Sequence, residues 1–129
     1  MSPFKPILFL EPHPRIRSLF ESFWGLSMIA NPFIDFSSEE DFWESGIEEG
    51  ALLIVDCRLL QTEITEWTQK IQRQKPLLES QIIWVVETKE ERDRLLTLGL
   101  QNVLRLPFQW GQWLPMICKR GLRWRLWKE

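Results

Sequence analysis

Residues 51–56, Ala-Leu-Leu-Ile-Val-Asp, form an unbroken apolar run that ends on a carboxylate. A strand with one wet face alternates apolar and polar side chains, so a run without alternation belongs to a strand covered on both faces. Strands of that kind lie inside parallel sheets, and parallel neighbours need long, usually helical, crossovers between them. The remaining sequence supplies both parts. Pro6 to Leu10 form an apolar run that stops at Glu11, Ile82 to Val86 form another, and Val103 to Leu106 a third. Met28 to Phe36, interrupted by Asn31 and Pro32, reads as an edge strand.

Helical patterns fill the intervals. Ile16, Leu19, Phe20, Phe23 and Trp24 recur at i, i+3, i+4, i+7 and i+8, with Pro14 suited to a first turn and Gly25 to a C-terminal cap. Ser37 and Glu40 make a capping-box pattern ahead of Phe42, Trp43 and Ile47, and Gly50 closes the turn that follows. Ile64, Trp67 and Ile71 mark one face of a helix stopped by Pro76. Thr88 and Glu91 form a second capping box before the stripe Leu95 and Leu96, with Gly99 as the stop. A final, irregular amphipathic helix is expected from about Gln109 to Trp127. Five strands alternating with five helices predict right-handed βαβ units and a parallel sheet between two helical layers, an α/β three-layer sandwich.

The chain is short enough for one domain, residues 1–129. Its hydrophobic share of 44% and net charge of -2 exclude a disordered tail and argue against a basic nucleic-acid binder. Cys57 and Cys118 have no CxxC or Cys/His spacing around them, so neither a disulfide framework nor a structural zinc is expected, and a reducing cytoplasm is. No apolar stretch approaches a membrane span or a signal segment. There is no GxGxxG, P-loop or GxSxG, and the lone His13 suits a helix cap or a surface position, so no enzyme is expected.

Four collinear segments carry a resemblance. They are Ile7-Leu-Phe-Leu-Glu11 followed by Pro12-His-Pro14, then Leu52-Leu-Ile-Val-Asp56, Ile82-Ile-Trp-Val-Val86, and Val103-Leu-Arg-Leu-Pro107-Phe108. Their order and spacing over nearly the whole chain resemble a response-regulator receiver domain of the CheY-like type. The resemblance implies a flavodoxin-like (βα)5 fold with strand order 2-1-3-4-5 and a site at the carboxyl ends of the strands. It also implies that Asp56 stands where a receiver accepts a phosphoryl group.

The other positions of that machinery depart from the family. A second acid that helps to hold Mg²⁺ is replaced by Pro12, so only Glu11 remains of the acidic pair. The hydroxyl residue that would bond a phosphoryl oxygen is Val86, and the lysine that would pair with the phosphate is Leu106. Arg105 is one residue away, but strand alternation sends it to the other face. Val103 stands near the position of the switching aromatic. One lost donor of this kind removes about 3 kcal/mol of stabilisation from a developing anion. The sequence therefore points to an atypical pseudo-receiver with a vestigial acceptor at Asp56 and no cofactor. It would act in two-component signalling as a phosphorylation-independent interaction module. The alternative is a weak phosphorelay receiver using Asp56, Glu11 and a loosely held Mg²⁺. In the degenerate case Asp56 is expected to accept loop amide hydrogen bonds, Glu11 and Arg58 to pair in the vacated pocket, Cys57 to be an inert thiol, and Leu106-Pro107 to be cis.

The eight tryptophans divide into two sets. Trp24, Trp43, Trp67 and Trp84 fall on faces expected to be buried. Trp110, Trp113, Trp124 and Trp127 crowd a terminal segment that one helix cannot bury whole, beside Arg120 and Arg123. That patch is the candidate interface for a kinase, a receptor, another regulator or a second copy through the fourth helix, fifth strand and fifth helix. Binding of nucleic acid or a membrane surface by the same basic, aromatic end is disfavoured by the acidic balance of the rest of the chain.

Overall fold

The computed structural model describes residues 6–26, 31–45, 52–61, 63–74, 82–107 and 109–118. Strands and helices alternate along them as β1 (Ile7–Leu10), α1 (Pro14–Leu26), β2 (Phe33–Phe36), α2 (Glu39–Glu44), β3 (Leu52–Asp56), α3 (Ile64–Gln74), β4 (Ile82–Val86), α4 (Lys89–Thr97), β5 (Val103–Arg105) and α5 (Trp110–Cys118), with a 3-10 turn at Cys57–Leu59. All neighbouring strands pair in parallel, in the order β2-β1-β3-β4-β5. This is the expected (βα)5 flavodoxin-like sheet.

Alternation along the strands sorts the apolar residues into two cores. Leu8, Leu10, Leu53, Val55, Trp84 and Val86 face the layer that holds Phe42, Trp67, Ile71 and Leu95. Ile7, Phe9, Leu52, Ile54, Ile83 and Val85 face the layer that holds Phe20, Trp24 and Trp113. Every residue of β1, β3 and β4 is buried, which is why these strands read as continuous apolar runs.

Several boundaries differ from the sequence expectation, each for a local reason. β2 begins at Phe33, after a proline that cannot donate to the ladder; the Pro32 carbonyl instead accepts from the Ile7 N–H at 2.7 Å. The α2 cap is Ser38, whose hydroxyl accepts from the Asp41 N–H at 3.1 Å, and not the Ser37 and Glu40 pair. The one-residue shift turns Glu39 and Phe42 inward, and Glu39 accepts from the Gln61 N–H at 3.0 Å. Helix α1 runs through Gly25 to Leu26 instead of stopping there, and Leu19 and Phe23 on its stripe remain 43% and 37% exposed. In α4 Leu95 is buried but Leu96, one step around the helix, is exposed. Trp24, Trp67 and Trp84 are buried as expected, and Trp43 is half-buried. The Thr88 and Glu91 capping box is present, and Gly99 ends the following turn at φ 93°, a left-handed conformation that suits glycine. The turn at Gly50, the stop at Pro76 and the chain after Cys118 lie outside the described residues.

Candidate functional site

Because β1 and β3 are hydrogen-bonded neighbours with Leu10 opposite Val55, the residues that end them emerge side by side. Those residues are Glu11 and Asp56, and both are fully buried. Asp56 caps the 3-10 turn, its Oδ1 accepting from the Arg58 N–H at 2.9 Å. The turn folds the Arg58 side chain back over the strand end. Its Nε donates to Asp56 Oδ1 at 3.0 Å and Oδ2 at 3.1 Å, and its Nη2 donates to Asp56 Oδ2 at 2.6 Å. The same Nη2 reaches Glu11 Oε2 at 3.3 Å, and Nη1 lies 3.8 Å from Glu87 Oε2. One guanidinium thus spans two buried carboxylates and one exposed carboxylate, close to the forked geometry that makes arginine–carboxylate pairs strong.

Glu11 is held differently from Asp56. Its Oε2 also accepts from the His13 N–H at 3.2 Å, while its buried Oε1 has no donor partner among the described residues. Burial, followed by hydrogen bonding to Asp56 and that residue's charge, pushes the Glu11 carboxyl up to about 8, against the opposing pull of the His13 amide and Arg58. Protonation of Glu11 removes one of the two negative charges beside the Arg58 guanidinium. Arg58 is pushed up above its usual value, chiefly by its hydrogen bonds to Asp56. The Cys57 thiol is pushed up to about 12, mainly by burial, which disfavours the reactive thiolate.

The expected pairing of Glu11 with Arg58 is present, and Asp56 accepts a loop amide as anticipated. Pro12 is half-buried after Glu11, and Val86 is buried at the end of β4. Val103 packs against the core under α3 and α4, and Leu106 against the core under α1 and α5. Arg105 is exposed, and the Leu106-Pro107 bond is cis. Two further contributors carry no signal in the sequence. Glu87 follows β4 and is brought to Arg58 only by sheet order, and Arg17 on α1 donates through Nη1 to the Glu11 carbonyl at 2.7 Å. No cluster of three or more His, Cys, Asp or Glu side chains suited to a metal occurs among the described residues.

The candidate interface needs one correction. Trp113 is fully buried, with its ring edge-on to Phe9 at 6.4 Å and 5.9 Å from Phe20, so it is a core residue and not a surface anchor. The second core lacks bulk unless α5 turns its largest side chain inward. The Trp110 side chain and all of Arg120, Arg123, Trp124 and Trp127 lie outside the described residues.

Neither a protein-family model nor a curated protein matches this sequence. Solved structures do. The chain is similar to the bacteriophytochrome response regulator AtBRR with a TM-score of 0.74 and 18% identity, over 98% of this chain and 99% of that one. The bacteriophytochrome response regulator RtBRR gives a TM-score of 0.74 and 19% identity, over 98% of this chain and 83% of that one. A CheY-like receiver domain protein from Methanospirillum hungatei gives 0.67 and 18%, over 90% and 92%. With the sheet order and crossovers described above, these similarities make the fold of this chain that of response-regulator receiver domains.

Proposed function

We propose that this chain is a degenerate receiver of two-component signalling, a pseudo-receiver that binds other proteins without being phosphorylated. The observation that carries the reading is the hold of Arg58 on Asp56. A phosphoacceptor carboxylate must present a free oxygen to the donor, and here both oxygens accept from one guanidinium. The Mg²⁺ on which receivers depend does not fit these residues. Pro12 offers no carboxylate, and Arg58 covers Asp56 Oδ2 and Glu11 Oε2, the oxygens a hard cation would need. Val86 and Leu106 add no donor for a phosphoryl oxygen. In this reading Arg58 is a fixed internal cation that occupies the carboxylate oxygens of the pocket.

The second reading, a weak phosphorelay receiver, is favoured by the place of Asp56, at the carboxyl end of β3 beside Glu11. Mass spectrometry after incubation with Mg²⁺ and acetyl phosphate, with Asp56→Asn alongside, separates the two. Unmodified protein in both samples is expected. An adduct on the wild type that Asp56→Asn lacks would overturn the pseudo-receiver and support the relay.

The partner in this proposal is a protein: a histidine kinase, a receptor, another regulator or a second copy. The face formed by α4, β5 and α5 is the proposed contact, since exposed Leu96 and Arg105 lie on those elements. The role requires no catalytic residue, cofactor or nucleic acid. No described helix is long and apolar enough to cross a membrane. A cytoplasmic location belongs to the same proposal and rests on the cysteine pattern.

A further inference from the structure

At the edge of the sheet a cavity of about 400 Å³, not lined by Asp56, Glu11 or Arg58, opens between α4, the end of β5 and the start of α5. It is lined by Arg92, Arg105, Leu106, Pro107, Gln109 and Gln112, two cations and two amides with no acid among them. Neither arginine has a hydrogen-bonded carboxylate among the described residues. Arg92 forms only a loose ion pair with Asp93, at 3.9 Å, and among the described residues no ion pair involves Arg105. The Arg92 side chain is 41% exposed, while its Nε is shielded from solvent and has no acceptor among the described residues. A guanidinium whose donors are only partly satisfied is suited to taking up an anion. The first turn of α5, which begins beside the cavity, carries no acidic residue, so the positive end of its dipole adds to the same field. By contrast Arg58, at the end of the central strand β3, is hydrogen-bonded to a carboxylate.

The geometry points to a phosphate site in this cavity, with Arg92 and Arg105 as the binding cations and the side-chain amides of Gln109 and Gln112 as neutral donors. Two guanidiniums match the charge of a phosphate dianion, whereas a single carboxylate would leave one of them uncompensated. Two forks and two amides arriving from three elements also suit a tetrahedral group better than a planar one. The occupant is the free ion or a phosphomonoester. The site is independent of the Asp56 pocket and of any phosphoryl transfer.

The test is a titration of the full chain, followed by NMR, with inorganic phosphate and with O-phosphoserine, against acetate and chloride at matched ionic strength. Saturable shifts centred on Arg92 and Arg105, with a Kd of about 1 mM or tighter, are expected for at least one phosphate probe. A ten-fold preference between the two probes identifies the free ion or the ester as the natural occupant, and either result supports the site. Arg92→Gln and Arg105→Gln should each weaken binding about ten-fold while the melting curve stays unchanged, and Arg58→Gln, though less stable, should keep its phosphate affinity at a temperature where it is folded. Equal responses to acetate or chloride, or retention of binding in both arginine variants, would overturn the assignment. So would loss of binding in Arg58→Gln alone, which would move the anion to the Asp56 pocket.

Discussion

Arg58 shows how one side chain decides the state of a site. In Arg58→Ala two buried carboxylates face each other without a cation, a change that costs about 3–5 kcal/mol in a fully enclosed pair. Arg58 is 22% exposed and Glu11 can take up a proton, so a loss of about 2–3 kcal/mol is expected, read as a lower urea midpoint. The same variant uncovers the carboxylate oxygens and should bind Mg²⁺ more tightly than the wild type, visible as a change in tryptophan fluorescence on titration. Absence of that gain would show that Arg58 is not what closes the pocket to cations. Glu11 gives the pH dependence. Its folded value is raised from 4.5 to about 8, so between those limits the folded state holds a proton that the unfolded state has released. Its stabilising contribution is complete below the unfolded value and is lost as pH rises through about 8. Urea midpoints should therefore fall between about pH 5 and about pH 9, and Glu11→Gln should flatten the decline.

At the scale of the element, the caps and turns carry separable contributions. The Thr88 hydroxyl accepts from the Glu91 N–H at 3.2 Å while Glu91 accepts from the Thr88 N–H at 3.2 Å, so Thr88→Ala should destabilise the protein by about 1 kcal/mol. Gly99 has open space around its Cα but a φ of 93°, so Gly99→Ala meets no clash and still costs about 1–2 kcal/mol through backbone strain. Thermal unfolding of both variants checks the two values, and a neutral Gly99→Ala would mean that the turn relaxes. The capping box and the glycine stop were legible because each uses residue types whose chemistry is local. The α2 cap was not, because two adjacent serines offer the same signal. The choice of Ser38 rests on Phe42 packing against Phe36 and on Glu39 reaching the Gln61 amide, both contacts from other elements.

For the whole molecule, the two cores depend on a few large aromatics that bridge elements. Trp67 packs in tilted contacts against Phe42 and Trp43 and edge-on against Trp84, at centroid distances of 6.1, 5.8 and 5.8 Å, tying α2, α3 and β4 together. Trp113 does the same for β1, α1 and α5. Trp113→Ala should therefore cost about 3–5 kcal/mol, as a core truncation does, whereas a surface residue would change stability by less than about 0.5 kcal/mol. Denaturant unfolding decides between these, and the small value would return Trp113 to the interface.

The sequence carries the class of fold, because strands buried on both faces must be apolar throughout and because their spacing leaves room only for helical crossovers. It also determined the chemistry missing from the site: Pro12, Val86 and Leu106 cannot supply an acid, a hydroxyl or an ammonium in any conformation. Tertiary structure alone decided which aromatic faced inward and how the surviving charges were paired. Nothing in the local sequence around Trp113 sends it inward; the space between β1 and α1, where it meets Phe9 and Phe20, does. Glu87 and Asp56 are 31 residues apart, and only the pairing of β3 with β4 brings them to opposite ends of one guanidinium.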